Sequence, residues 1–125
     1  MLLNSPLIEE IYESSFIKEK KYILKKKNVN GFVFVGAEWC GHCKETAPQI
    51  IKLSQMAGLT YPVFFIDGAK NKNSDLLSKL SVKGYPTIFI VYNSELTEYK
   101  GSRTANDIFA ALVKKSRGKL AFDNS

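Results

Sequence analysis

The run Phe32-Val33-Phe34-Val35 constrains the fold of this chain more than any other stretch. Four β-branched or aromatic residues without polar alternation fit a strand covered on both faces, and such strands sit in sheets that have helices packed on each side. Gly31 opens that strand, and its apolar character lasts to Ala37. A helix that begins at the cysteines reads from after Cys43 to about Ala57, burying Ala47, Ile50, Ile51 and Ser54 and bending where Pro48 removes a hydrogen bond. Residues 61–66 form a second apolar strand closed by Asp67-Gly68. Leu76, Leu77 and Leu80 mark a short helix capped by Asn73 or Ser74. Pro86 opens a third strand over residues 87–92, which turns through Asn93-Ser94 into an antiparallel partner at 96–99. Thr104 and Asp107 start a last helix whose Ala105, Ile108, Phe109, Leu112 and Val113 lie on one stripe. Lys114, Lys115 and Arg117 complement its dipole, and Gly118 is predicted to stop it. The order predicts an α/β fold, a mixed sheet with helices on both faces and one antiparallel edge.

The amino-terminal part is less regular. Residues 6–13 read as an amphipathic helix, with Ser5 as cap and Pro6 in its first turn, burying Leu7, Ile8, Ile11 and Tyr12. Phe16-Ile17 and Tyr22-Ile23-Leu24, separated by a charged turn, suggest two short strands or a hairpin. Lys25 to Lys27 with Asn28 and Asn30 make a solvated connection. A length of 125 residues suits one domain, 1–125, with 1–28 its least defined elements and 119–125 expected as a flexible tail.

The net charge of +6 would permit contact with nucleic acid or an anionic membrane, but the lysines are scattered and follow no amphipathic helix. Neither partner is expected, no apolar run reaches the roughly 20 residues of a membrane span, and a monomer is expected. Met1 to Ser15 carry no secretion signal, Phe122-Asp123-Asn124-Ser125 is no retention signal, and no Asn-x-Ser/Thr site occurs. The expected location is cytoplasmic or otherwise non-secreted, or a virion should the chain be viral.

The chain holds two cysteines, three apart, in Trp39-Cys40-Gly41-His42-Cys43-Lys44. None is spare for a structural bridge. A tetrahedral zinc site needs four ligands and this stretch adds only His42, so no metal is expected. Covalent haem attachment would need a histidine directly after Cys43, where Lys44 stands. A redox dithiol or an inert buried pair remains. At a strand-to-helix junction, unpaired N–H groups stabilise a thiolate, which assigns Cys40 as the nucleophile, with His42 and Lys44 adding positive charge. Cys43, one turn deeper, is placed to attack a mixed disulfide and release the client. Trp39, beside the nucleophile, suits a peptide-binding rim.

The stretch Ala37 to Lys44, Ala47-Pro48 five residues beyond the second cysteine, and Gly84-Tyr85-Pro86-Thr87 together resemble a thioredoxin-fold domain of the protein disulfide isomerase type. The resemblance spans roughly residues 31–118. It implies a thioredoxin-like fold and exchange of disulfides with client protein cysteines through Cys40 and Cys43, with Gly41 and His42 between them in support. No cofactor is implied; the partners are clients and an unidentified thiol reductant or oxidant. It further implies that Pro86 is cis and lies against the dithiol, that the Tyr85 backbone pairs with the client chain, and that Arg103 approaches the inner cysteine. Two positions depart from the family pattern: Phe34 stands where a buried acid usually accepts the inner thiol's proton, and Val63 where thioredoxins place a partner lysine. These departures keep a second reading open, a thioredoxin-fold binding or assembly module whose dithiol is incidental.

Overall fold

A computed structural model of the chain describes residues 2–18, 22–57 and 60–123. Seven strands among them, β1 (Ile8–Glu10), β2 (Phe16–Lys18), β3 (Tyr22–Leu24), β4 (Gly31–Gly36), β5 (Val63–Asp67), β6 (Thr87–Tyr92) and β7 (Glu95–Tyr99), form one sheet in the order β1-β5-β4-β6-β7-β3-β2. β4 lies at its heart, parallel to β5 and antiparallel to β6, and every one of its residues is buried. The alternation of side chains along a strand then divides the core in two. Phe32 and Phe34 join β6 residues Ile88 and Ile90 beneath helices α1 (Gly41–Ala57) and α3 (Ala105–Asp123). Val33 and Val35 face the other way, with Leu76 of helix α2 (Ser74–Lys79) and with Ile11, Phe16 and Leu24. Helices on both faces of a mixed sheet are the expected α/β architecture.

The hairpin read from residues 16–24 is present, pairing Phe16 with Leu24 and Ile17 with Ile23, while residues 19–21 lie outside the described part. β3 docks on β7 at Ile23 and Glu95, which extends the sheet to that edge. The helix expected over residues 6–13 is not there. Ser5 instead starts a turn, its carbonyl accepting from the Ile8 N–H at 3.2 Å and its Oγ from the Leu7 N–H at 3.3 Å. The chain then runs as β1, parallel to β5 with Ile8 opposite Val63, and the Ile11 N–H donates to the Phe65 carbonyl at 2.8 Å. A helix of eight residues is marginal by itself, whereas the open edge of β5 offers ladder partners to an extended segment. Ile11 is buried as expected, but Leu7 is 41% exposed.

Two helix ends also differ. Asn73 is the cap of α2 but makes no capping bond with its side chain; its Nδ2 donates to the Asp67 carbonyl at 3.0 Å, tying the helix start to the end of β5. α3 passes through Gly118 and reaches Asp123, so the expected stop is absent. A glycine inside a helix costs only about 1 kcal/mol against alanine, too little to end a helix by itself.

Candidate active site

β4 ends at Gly36, and a turn closed by the Cys40 N–H donating to the Ala37 carbonyl at 3.1 Å carries the chain into α1. The first helical bond runs from the Lys44 N–H to the Cys40 carbonyl, also 3.1 Å. Cys40 therefore stands at the cap, where the next N–H groups have no carbonyl to bond within the helix. Both cysteines are free thiols, Cys40 partly exposed and Cys43 buried at 0% exposure.

The two sulfurs experience opposite surroundings. Hydrogen bonding from the Cys43 thiol, then from the Cys43 and His42 backbone N–H groups, lowers the Cys40 pKa, and the Arg103 charge adds to this. Burial pushes the Cys43 thiol up to about 11, its donation to Cys40 and the charge there push the same way, and the Ala37 N–H and Arg103 oppose them. Burial disfavours an anion and donated hydrogen bonds favour it, so a shared proton rests on the inner sulfur. The outer sulfur is the better thiolate.

The pocket around Cys43 is apolar. A Cβ on Gly36 would lie 3.1 Å from the Cys43 Sγ and 2.8 Å from a Phe34 ring carbon, so glycine is what lets sulfur and ring close on the strand. Phe34 and Val63 are both buried in the cluster that contains Cys43. No carboxylate occupies either position.

The exposed side of the site, beside Cys40, is built from the segment before β6. The Tyr85-Pro86 peptide bond is cis, and the Cys40 thiol donates to the Tyr85 carbonyl at 3.6 Å. The Tyr85 hydroxyl donates to the Gly68 carbonyl at 3.3 Å, and the Thr87 hydroxyl to the Gly84 carbonyl at 2.7 Å, which fixes the segment at both ends. Trp39, 69% exposed, sets its ring edge-on to Tyr85 with centroids 5.6 Å apart. Cys40, Trp39, Tyr85 and Pro86 thus come together.

Other expected residues take different positions. The His42 imidazole is 74% exposed and turns to Glu45, Nδ1 to Oε2 3.7 Å, so that His42 acts on Cys40 through its backbone N–H. A Cβ at Gly41 would meet nothing within 4 Å, so space does not demand glycine there. Arg103 is exposed at the edge of a cleft that it shares with Tyr85 and Pro86, and its charge reaches both sulfurs. Two shaping residues escape the sequence reading. A Cβ on Gly68 would overlap the Tyr85 ring at 2.5 Å, so Gly68 is what seats Tyr85, and Gly36 seats the inner sulfur. The available signal was a glycine ending each of two adjacent buried strands.

The thioredoxin family model matches residues 12–114. A protein disulfide-isomerase of Medicago sativa is 35% identical over 119 residues, which cover 83% of this chain and 23% of that protein. Protein disulfide isomerase-like 5-3 of Oryza sativa subsp. japonica is 40% identical over 88 residues, 68% of this chain and 20% of its own. The chain thus spans less than a quarter of the length of either relative. Among solved structures, the Trx4 domain of ERdj5 superposes with a TM-score of 0.72 at 21% identity, covering 89% of this chain and 96% of that one. Spinach chloroplast thioredoxin f, short form, gives 0.64 at 21% identity, covering 86% and 91%.

Proposed function

We propose, from the premise that this chain belongs to the thioredoxin family and is a thiol-disulfide oxidoreductase, that it works on client proteins in the manner of a protein disulfide isomerase domain. The observation that carries the reading is the opposed setting of the two sulfurs, a partly exposed Cys40 with lowered pKa above a buried Cys43 raised to about 11. The Cys40 thiolate attacks one sulfur of a client disulfide; the bond between the client sulfurs breaks and the departing sulfur leaves with the electron pair as a thiolate. That thiolate can attack a second disulfide of the same client, which exchanges pairings with no net redox change. Alternatively Cys43 gives its proton to water or the departing thiolate and attacks the Cys40 sulfur. The client leaves with two electrons gained, and Cys40 and Cys43 end as a disulfide. A thiol of the surroundings then restores the dithiol.

A substrate with scrambled disulfides tests this. Wild type should restore native pairings, Cys40→Ser should abolish the activity, and Cys43→Ser should keep exchange while trapping mixed disulfides. Wild type no better than Cys40→Ser overturns the reading and favours the binding module, for which the apolar Phe34 beside Cys43 speaks. Reduction of insulin disulfides without any repair of scrambled ones would place the domain with reductases.

A further inference from the structure

The cleft that Tyr85 and Pro86 help to line is unevenly charged. It holds about 450 Å³ and is walled in part by Lys83, Tyr85, Pro86, Glu98, Lys100 and Arg103, three cations against one carboxylate. A smaller cavity of about 230 Å³ continues past Pro86 along Glu98, Lys100, Gly101 and Arg103. All four charged side chains are exposed. None of the three cations enters an ion pair among the described residues, where the pairs join His42 to Glu45 and Lys70 to Glu10. Their charge is available to something outside the chain.

The cleft and the reacting sulfur share Tyr85, whose carbonyl accepts from the Cys40 thiol at 3.6 Å and which is also one of the cleft's lining residues. An extended chain advances about 3.3 Å per residue. A client whose cysteine meets Cys40 and whose backbone runs along Tyr85 and Pro86 therefore lays its next few side chains between Lys83, Lys100 and Arg103. We propose that this cleft selects client segments bearing Asp or Glu within a few residues of the reactive cysteine. The inference rests on the reading of Cys40 as the client-facing sulfur. One exposed ion pair changes an equilibrium by less than about fivefold, so the selection comes from several cations acting together and weakens with salt.

Equilibrium binding tests the cleft without any redox step. Three peptides share one sequence with serine in place of the cysteine, flanked by two glutamates, two glutamines or two lysines. Emission of Trp39, the one tryptophan, reports occupancy beside Tyr85. At low salt the glutamate peptide should bind about five- to tenfold more tightly than the glutamine peptide, and the lysine peptide most weakly. Lys83→Gln with Lys100→Gln should remove most of that difference. Lys25→Gln with Lys27→Gln, which lowers the net charge equally but lies in the exposed connection before β4, should keep it. Equal affinity for the three peptides overturns the proposal, as does an equal loss in both double variants, which would assign the preference to overall charge. The same peptides with the cysteine restored and held as a disulfide to a small thiol then separate the two levels: in Cys43→Ser the Cys40 thiolate attacks the peptide sulfur, the small thiol leaves as a thiolate, and the peptide stays bound as a mixed disulfide. Failure of every peptide to form a mixed disulfide with Cys40 defeats the oxidoreductase reading, while the binding order still decides the cleft.

Discussion

Behind Gly36 the Cys43 sulfur and the Phe34 ring share a small apolar volume, and the ring also stacks on Phe65 with centroids 6.2 Å apart. The inner thiol therefore keeps its proton to about pH 11, whereas the outer one gives its proton up early. Iodoacetamide should label Cys40 at lower pH than it labels an ordinary thiol, and Cys43 only as pH approaches 11 or as the chain unfolds. Equal labelling at pH 7 would contradict the geometry. The sign for stability is opposite at the two sulfurs. The raised Cys43 favours the reduced fold fully below its ordinary value of 9.0 and loses that contribution as pH rises toward 11. The lowered Cys40 contributes above its ordinary value and loses its contribution as pH falls through its folded one. Phe34→Glu supplies a proton acceptor beside Cys43 at the cost of a buried acid and lost ring packing, together about 3 kcal/mol or more. Its unfolding midpoint should fall by about 10 °C while a trapped mixed disulfide is released faster. Unchanged release would move the proton-accepting step to water or, should Arg103→Ala slow it, make it depend on the arginine. The cysteines were legible because their spacing is local, whereas Tyr85 and Pro86, 45 residues from Cys40, were reached only through the family resemblance. Gly68 was not legible, since it is required by Tyr85, 17 residues further on, and Gly36 was not, since the closure of Cys43 and the Phe34 ring over it depends on how α1 packs on β4 and leaves no mark in the local pattern.

The β6–β7 turn carries more than its two residues suggest. Asn93 and Ser94 have φ of 51° and 68°, the left-handed region that a tight hairpin of this twist needs. Ser94 is buried, and its Oγ accepts from the Val29 N–H at 3.1 Å and donates to the Lys26 carbonyl at 2.6 Å. Its own N–H and carbonyl bond to Val29 and Leu24, so one serine fastens the lysine-rich connection to the sheet. Ser94→Ala should cost about 1–3 kcal/mol by leaving buried groups unpaired, while Asn93→Gly should gain up to about 1 kcal/mol by relieving the backbone. Urea midpoints of the two variants moving in the same direction would refute this account. The turn itself was readable from Asn93-Ser94 between the apolar run of β6 and the alternating residues of β7; the serine's reach across 65 residues to Val29 was not. Long elements with an unbroken apolar run, β4 and β6, or with a helical stripe, α1 and α3, were likewise readable. β1 misled because Leu7, Ile8, Ile11 and Tyr12 keep helical spacing, and its true state depends on a carbonyl of Phe65 that no local pattern contains.

At the scale of the whole molecule, the sheet places its longest and most apolar strands in the middle and three-residue strands, β1 and β2, at its margins. The α/β class followed from the uninterrupted apolar run of β4. The margins did not, because three residues carry too little pattern to specify partners. Those margins have a colloidal consequence. β5 reads Val-Phe-Phe-Ile-Asp, four uncharged residues of high β propensity, and its outer edge is covered by Ile8, Glu9 and Glu10, with Ile11 bonded to Phe65 beyond them. Such a segment, once bare, can template addition of like segments from other copies. Removal of residues 2–11 should therefore turn a clear solution into one that scatters light on mild warming, well before the helices melt. A truncated chain that stays monomeric would refute this. On this account the charge of Glu9 and Glu10, set on a strand only three residues long, is expected to guard the β5 edge as well as to extend the sheet.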